Sequence, residues 1–248
     1  MKKSEKKRLD LALVSRGLAP SREKASALIM SGLIEVDGKR IDKPGFAVNE
    51  ELSVIIKKAD SCPYVSRGGI KLAAAISHFN INIKNKVVID VGASTGGFTD
   101  CLLQNGASKV MALDVGYGQL DWKIRNDPRV IVVEKTNARY ITPQIIGVPA
   151  DGAVIDVSFI SLKLIIPSVS SVLNEEAFIV SLIKPQFEAG KGLVGKGGVV
   201  KDENLRLLIV EDISNFFISQ GWAVIGVIPS PILGSKGNQE FLLYATRG

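Results

Sequence analysis

Apolar residues follow one rhythm over the first quarter of the chain and another over the rest. Up to about residue 60 the runs are short and their period changes often. Leu9, Leu11, Leu13 and Val14 fall in a first short helix closed by Gly17. Ser21 reads as the N-cap of a second helix, with Lys24 where a full capping box needs Glu or Gln. Ala25, Leu28 and Ile29 then recur at helical spacing until Gly32. A strand at 33–36, the turn Asp37-Gly38 and β-prone residues up to 52–56 complete a small α/β module.

Pro63 pushes the residue before it out of the helical region, and the period changes after Tyr64. Strand-like runs at 87–91, 110–114, 130–133, 153–157, 178–183, 223–228 and 241–245 alternate with segments of helix length. Near-continuous β-branched runs in that arrangement predict an α/β domain, its mostly parallel sheet covered on both faces. The expected organisation is a module at 1–59, a linker at 60–64 and a larger domain at 65–248.

Composition narrows the class of protein. With 46% apolar and 23% charged residues the chain is an ordinary globular one. Its net charge of +6 suits an anionic partner. The first 24 residues carry eight Lys or Arg against three acids. Lys6, Lys7 and Arg8 lead into Arg16, Arg22 and Lys24 on the helix pair and Lys39 and Arg40 on the turn, which together predict a phosphate-facing surface. Cys62 and Cys101 lie 39 residues apart and fit no metal or redox spacing, a pattern of reducing compartments. The lone His78 has no metal-like surroundings and reads as structural. No apolar run is long enough to span a bilayer, and no signal-peptide core follows the basic N-terminus. A cytoplasmic protein without a metal is expected.

The sharpest local pattern is Val88-Ile89-Asp90-Val91-Gly92-Ala93-Ser94-Thr95-Gly96-Gly97-Phe98-Thr99-Asp100. A buried strand enters a glycine-rich turn and then a helix, which brings a nucleotide-type ligand to the carboxyl edge of a parallel sheet. Asp114, at the end of the next strand and 18 residues beyond Gly96, stands where a carboxylate can bind both ribose hydroxyls. Dinucleotide sites use G-x-G-x-x-G; here Gly92 and Gly96 are four apart with Ser94 between them. Asp90 beside the turn repels a pyrophosphate but suits a ligand bearing ammonium and sulfonium charges. S-adenosylmethionine is therefore favoured over NAD. Asp156 and Lys184 stand at the ends of later strands, in the crevice where such folds bind ligands. Ser94 has no His partner, so a serine-hydrolase triad is excluded.

The motifs Tyr64-Val65-Ser66-Arg67-Gly68 with Lys71, Asp90–Thr99 and Asp114-Val115-Gly116-Tyr117-Gly118-Gln119-Leu120 resemble those of the TlyA (hemolysin A) family. The likeness continues through 125–130, 136–139, 158–162, 184–188, 198–200 and Gly237-Asn238 with Glu240, so it spans almost the whole chain. It implies an S4-like RNA-binding domain joined to an FtsJ-type, Rossmann-like methyltransferase domain with a seven-stranded sheet. It further implies a tetrad for 2′-O-ribose methylation on Lys71, Asp156, Lys184 and Glu240, and a place for Asn137 near the adenine. The cofactor set becomes Asp90, Gly92, Ser94, Gly96, Gly97, Phe98, Asp114, Val115 and Asn137. Arg67 joins the basic residues on the RNA side.

A ribose hydroxyl must lose its proton as it attacks a sulfonium methyl group, and a lysine can take that proton only when burial or a second cation disfavours its charge. Lys184 is the expected base, with Asp156 near the methyl group and Lys71 and Glu240 positioning it. The resemblance points to a cytidine of ribosomal RNA and, since this chain resembles the family's shorter forms, implies the large subunit; a monomer is expected. A pore-forming haemolysin would need amphipathic or spanning segments that the sequence lacks. A non-catalytic assembly factor would show a broken tetrad. Lys184-Pro185-Gln186-Phe187 lacks the Asn-Pro-Pro-aromatic run of base amino-group methylation.

Overall fold

A computed structural model of the chain describes residues 6–30, 33–49, 52–56, 62–190, 192–195 and 197–247. The chain divides at Cys62/Pro63 into two units. Residues 60–61 of the expected linker lie outside the described residues.

In the N-terminal unit, β1 (Lys7–Arg8) runs into α1 (Leu9–Ser15), followed by α2 (Arg22–Met30), β2 (Ile34–Val36), β3 (Lys39–Arg40), β4 (Ala47–Val48) and β5 (Val54–Ile56). β1 pairs with β4, and β2 lies between β3 and β5, all antiparallel. Ser21 caps α2, its Oγ accepting from the Lys24 N–H at 3.3 Å. Asp37 and Gly38 both take positive φ, 47° and 75°, as the expected hairpin turn requires. Leu9, Ala12 and Leu13 bury against Ala25, Ile29, Ile34, Val36 and Val48. Leu11 departs from the apolar stripe and is exposed.

Asp10 is buried instead. Its carboxylate accepts from Arg8 Nε and Nη2 at 3.0 and 2.9 Å, from Arg22 Nε at 3.0 Å and from the Leu11 N–H at 2.9 Å. A buried carboxylate is tolerable only with such partners. Its bond to Arg8, more than any other contact, holds it well below the usual carboxylate range.

The second unit opens with α3 (Gly68–Phe79). There follow β6 (Val87–Val91), α4 (Gly97–Gln104), β7 (Lys109–Leu113), α5 (Trp122–Arg125), β8 (Val130–Val133), α6 (Pro143–Ile146), β9 (Ala150–Ile155) and α7 (Ile166–Ser170). β10 (Leu173–Ile183), α8 (Pro185–Glu188), α9 (Glu203–Ser219), β11 (Ala223–Pro229) and β12 (Phe241–Thr246) complete it. The strands form one sheet in the order β11-β12-β10-β9-β6-β7-β8. β10, β9, β6, β7 and β8 are parallel, and β12 runs antiparallel to both its neighbours.

Alternation along the strands divides the core. Val88, Val110, Val154, Val180 and Leu182 face α3 and α4 through Leu72, Phe98 and Leu102. Ile89, Met111, Ile155, Ile179 and Ile183 face α7 and α9 through Ile166, Val169, Ile213 and Phe217. Two departures from the sequence reading have local causes. β10 begins at Leu173 and bulges before Phe178, because the polar run 174–176 hides its first half from an apolar count. The connections around β8 hold only four-residue helices, one running into Asp127-Pro128 and the other ended by Gly147 at φ 81°.

Asp10→Ala should loosen the N-terminal unit by about 2 kcal/mol, since it strips charged hydrogen bonds from two half-exposed arginines. Hydrogen exchange of α1 and α2 amides reads the effect. Because the folded carboxyl is held below its unfolded value, its contribution is present above about pH 4 and fades on acidification below that. The wild type should show this loss and the variant should not.

Candidate active site

Strand register assembles the site at the carboxyl edge of the sheet. Val91 pairs with both Leu113 and Ile155, so the residues that follow, Gly92, Asp114 and Asp156, emerge in one row. Ile183 pairs with Phe241 on the reversed strand, which sets Lys184 and Glu240 side by side at the same edge. The Gly92 N–H donates to the Leu113 carbonyl at 2.8 Å and the Asp156 N–H to the Val91 carbonyl at 2.9 Å. Gly92 has φ 86°, and a Cβ there would stand 2.7 Å from the Asp156 carbonyl oxygen. The glycine is thus required by the closeness of two strand ends, as well as by the turn.

Two cavities share this edge. One, of about 420 Å³, is lined by Ser94, Asp114, Val115, Asn137, Phe159 and Ile165, among others. The other, of about 340 Å³, is lined by Arg67, Lys71, Gly97, Phe98, Lys184 and Gly234, among others. Gly92, Ser94, Asp156 and Ser158 belong to both.

In the first cavity Asp114 is fixed by the glycine turn. Its Oδ2 accepts from the Ser94 N–H at 2.8 Å and its Oδ1 from the Gly116 N–H at 2.7 Å. Asn137 stands in the wall, its Oδ1 accepting from the Arg139 N–H at 3.0 Å to cap a short 3-10 turn. Size, apolar walls and a few convergent polar groups suit a nucleoside.

Two ion pairs stand at the second cavity, with Lys71, Lys184 and Asp156 in its wall and Glu240 buried behind. Lys71 Nζ meets Glu240 Oε2 at 2.6 Å, with side chains only 11% and 3% exposed. Lys184 Nζ meets Asp156 Oδ1 at 2.6 Å and donates to Ser158 Oγ at 2.9 Å. Lys71 comes from α3, whose N-terminal residues Gly68 and Gly69 lie close to α4 at Gly97, where a Cβ would stand 3.0 Å from the Gly69 nitrogen.

Asp90 and Gly96, both expected to meet the ligand, line neither cavity. Gly96 shapes the turn as the residue before α4, at φ 92°. Asp90 is fully buried on the α4 face of β6, its Oδ2 accepting from Thr99 Oγ1 at 2.6 Å. Its Oδ1 has no hydrogen-bond partner. Burial foremost, then the charges of Asp156 and Asp114, push its carboxyl up to about 7, against the pull of the Thr99 bond. The turn thus covers an acid that favours a cation nearby without presenting it as a wall, because the alternation of β6 points residue 90 into the helix layer.

The basic residues of the N-terminal unit divide. Lys6, Lys7 and Lys24 are exposed, and Arg8 and Arg22 are held side by side on Asp10. Arg16 is spent on structure: its Nη1 and Nη2 donate to the Leu52 and Asn49 carbonyls at 3.0 and 2.8 Å. Only its remaining N–H groups are left for a phosphate. Arg67, in the other unit, is exposed at the mouth of the second cavity.

Sequence reasoning missed several site residues. Ser158 ties Lys184, and Gln186 Nε2 donates weakly to Glu240 Oε1 at 3.4 Å. Glu188 accepts from Ser161 Oγ at 2.6 Å and the Leu162 N–H at 2.9 Å, joining α8 to the loop after β9. At Gly234 a Cβ would stand 2.0 Å from Glu240 Oε1. The first three lie within the segments 158–162 and 184–188, where polar residues next to strand ends were the available signal. Nothing in the sequence marks Gly234. His78 is exposed against Phe79, and Cys101 is buried, its thiol pushed up to about 12 by burial. No cluster among the described residues can hold a metal.

A mostly parallel seven-stranded sheet with one reversed strand, and a nucleoside-sized cavity at its carboxyl edge, defines a Rossmann-like methyltransferase. Residues 64–247 match the FtsJ-like methyltransferase family and residues 7–54 the S4 domain. The chain belongs to the FtsJ-like methyltransferases and, among them, to the TlyA family. It is 46% identical over 237 residues to the 16S/23S rRNA (cytidine-2′-O)-methyltransferase TlyA of Mycobacterium tuberculosis, covering 96% of this chain and 88% of that one. It is 34% identical over 249 residues to the 23S rRNA (cytidine-2′-O)-methyltransferase TlyA of Campylobacter jejuni, covering 93% and 96%. A solved structure titled as a hemolysin from Streptococcus thermophilus matches with TM-score 0.77 at 41% identity, covering 99% and 90%. Magnesium protoporphyrin IX methyltransferase of Synechocystis, solved with bound SAH, shares the fold alone, at 14% identity and TM-score 0.52 over 73% of this chain and 83% of that one.

For Asp90 the sign of the pH dependence follows from its raised value. Between about pH 4 and 7 the unfolded chain has released this proton while the folded one keeps it. Stability should therefore fall as pH rises through that window and level off above it. Asp90→Asn should remove this part of the slope; melting temperatures of both proteins from pH 4.5 to 8 measure it. A variant slope equal to that of the wild type would show the carboxyl to be ionised throughout.

Proposed function

We propose that the chain methylates the ribose 2′-hydroxyl of a cytidine in large-subunit ribosomal RNA, with S-adenosylmethionine as donor. The observation that carries this reading is the pair of ion pairs, Lys71–Glu240 and Lys184–Asp156, of which Lys71, Lys184 and Asp156 line a cavity continuous with one of nucleoside size. Both TlyA relatives named above carry 23S rRNA and cytidine-2′-O in their names, which supports the base and the subunit. A cytoplasmic, monomeric enzyme accords with that substrate.

The residues fit the donor. Asp114 would hold the ribose hydroxyls, Asn137 and Val115 the adenine side, and Gly92 and Ser94 the passage between the cavities, with Gly97 and Phe98 in the wall of the second. The unpartnered Asp90 oxygen beneath the turn favours a cationic ligand over a pyrophosphate. S-adenosylmethionine supplies, when bound, a methyl group activated by its sulfonium. The chain's own work is to bring the target oxygen to that methyl in line and to take its proton. Lys184, once its ammonium has released a proton to solvent, would accept the 2′-hydroxyl proton as the oxygen takes the methyl group and leaves the bonding electrons on sulfur. Asp156 then balances the ammonium that results. Lys71 and Glu240, mutually neutralised and nearly buried, hold the ribose side of the pocket in place. No helix among the described residues is long and apolar enough to cross a membrane.

Transfer of labelled methyl to ribosomal RNA and isolated subunits tests the reading. The wild type should label a cytidine 2′-oxygen of the large subunit, and folded Lys184→Ala should lose roughly 10²–10⁴-fold in rate. Label on a base, or full activity in the variant, would overturn it. The N-terminal unit should supply affinity rather than chemistry. Replacing Lys6, Lys7 and Lys24 with Gln should weaken RNA binding and flatten its logarithmic salt dependence by about 2, with the rate at saturating RNA unchanged.

A further inference from the structure

Among the described residues of the methyltransferase unit, four aromatic side chains are more than half exposed: Tyr117 at 71%, Trp122 at 79%, Tyr140 at 65% and Phe159 at 89%. All four lie on segments that follow the carboxyl ends of β7, β8 and β9. Phe159 lines the nucleoside cavity and packs on Phe187, with ring centroids 4.9 Å apart. The other three have no such place. Single exposed apolar residues need no explanation, but three large aromatics gathered at one edge do.

Two of the three are matched with cations. Lys135 Nζ lies 4.5 Å from the centre of the Tyr117 ring, and the Arg139 guanidinium lies 5.5 Å from that of Tyr140. Lys135 holds this position from a left-handed backbone, φ 55°, which is unfavourable for a lysine and is kept by a bond from its N–H to the Gly116 carbonyl at 3.0 Å. Glu134 ties the pieces together: it accepts from the Gly118 N–H at 2.9 Å and pairs with Arg125 on the helix that begins at Trp122. The Tyr117 loop, the Trp122 helix and the Lys135 turn are therefore joined at one carboxylate.

We infer that Tyr117, Trp122 and Tyr140, with Lys135 and Arg139, form a second RNA contact on the methyltransferase unit, a platform for unpaired nucleotides flanking the target. The inference rests on an RNA substrate, as proposed above. Aromatic faces accept bases of any sequence, and adjacent cations take the phosphates between them. Paired bases stack on one another and leave no face free, so the platform selects unpaired RNA over duplex. A protein partner would be met by a continuous apolar surface; here a cation covers two of the three rings.

The chain itself carries the probe. It has two tryptophans; Trp222 is 2% exposed and Trp122 is 79% exposed. A base stacking on Trp122 should quench the exposed component of the fluorescence. The experiment titrates the full chain with oligocytidylate of about twelve nucleotides and with a blunt RNA duplex of equal length, following fluorescence and, separately, anisotropy of end-labelled RNA. Oligocytidylate should quench, the duplex should not, and Trp122→Phe should abolish the signal while affinity stays within about twofold. Tyr117→Ala combined with Lys135→Ala should weaken oligocytidylate binding about tenfold and raise KM for ribosomal RNA with kcat unchanged. Binding by anisotropy without quenching, equal quenching by the duplex, or unchanged affinity in the double variant would overturn the platform. The quenching and anisotropy readouts need no methyl transfer, so a failure of the proposed reaction would be seen separately.

Discussion

The reversal of β12 beside β10 is the constraint on which the site depends. In a wholly parallel sheet every strand would deliver only its carboxyl end to the ligand edge. The antiparallel pairing of Ile183 with Phe241 brings the start of a strand to that edge instead, and with it Glu240 beside Lys184. The parallel ladders β6–β7 and β6–β9 set Asp114, Gly92 and Asp156 in a row next to this pair. α3 adds Lys71 from outside the sheet, at the closeness to α4 that Gly97 allows. Residues scattered from 71 to 240 thus meet at one edge of the sheet, with little demand on flexible loops.

That convergence creates an electrostatic problem. Asp90, Asp114 and Asp156 crowd the same turn, and the charges of the other two add to burial in raising the proton affinity of Asp90. The structure answers each differently. Asp114 is satisfied by two backbone N–H groups, Asp156 by the Lys184 ammonium, and Asp90 by Thr99 on one oxygen only. Breaking a buried pair leaves an uncompensated charge, which costs far more than the pair contributes. The two lysines therefore serve the fold at this edge as well as any chemistry performed there.

The N-terminal unit handles charge in the opposite sense. There a buried acid gathers cations: Asp10 holds the Arg8 and Arg22 guanidiniums at one surface while both remain half-exposed. A basic surface arranged by an internal carboxylate keeps the fixed spacing that phosphates require, which a run of free lysines would not.

The sequence by itself determined the two-part organisation and the strand–turn–helix at 87–104. It also placed Asp156 and Lys184 at strand ends, because apolar period and glycine position are local properties. Membership of the tetrad came from motif resemblance, which encodes a family's solution without its geometry. Only the tertiary structure decided how these residues pair: Lys71 with Glu240 and Lys184 with Asp156 could not be chosen from spacing, since the partners lie far apart along the chain. It also took Asp90 and Gly96 out of the cavity walls and turned Arg16 toward carbonyl groups. The side of a strand on which a residue falls, and the carbonyl a guanidinium meets, depend on packing between elements that no local pattern records.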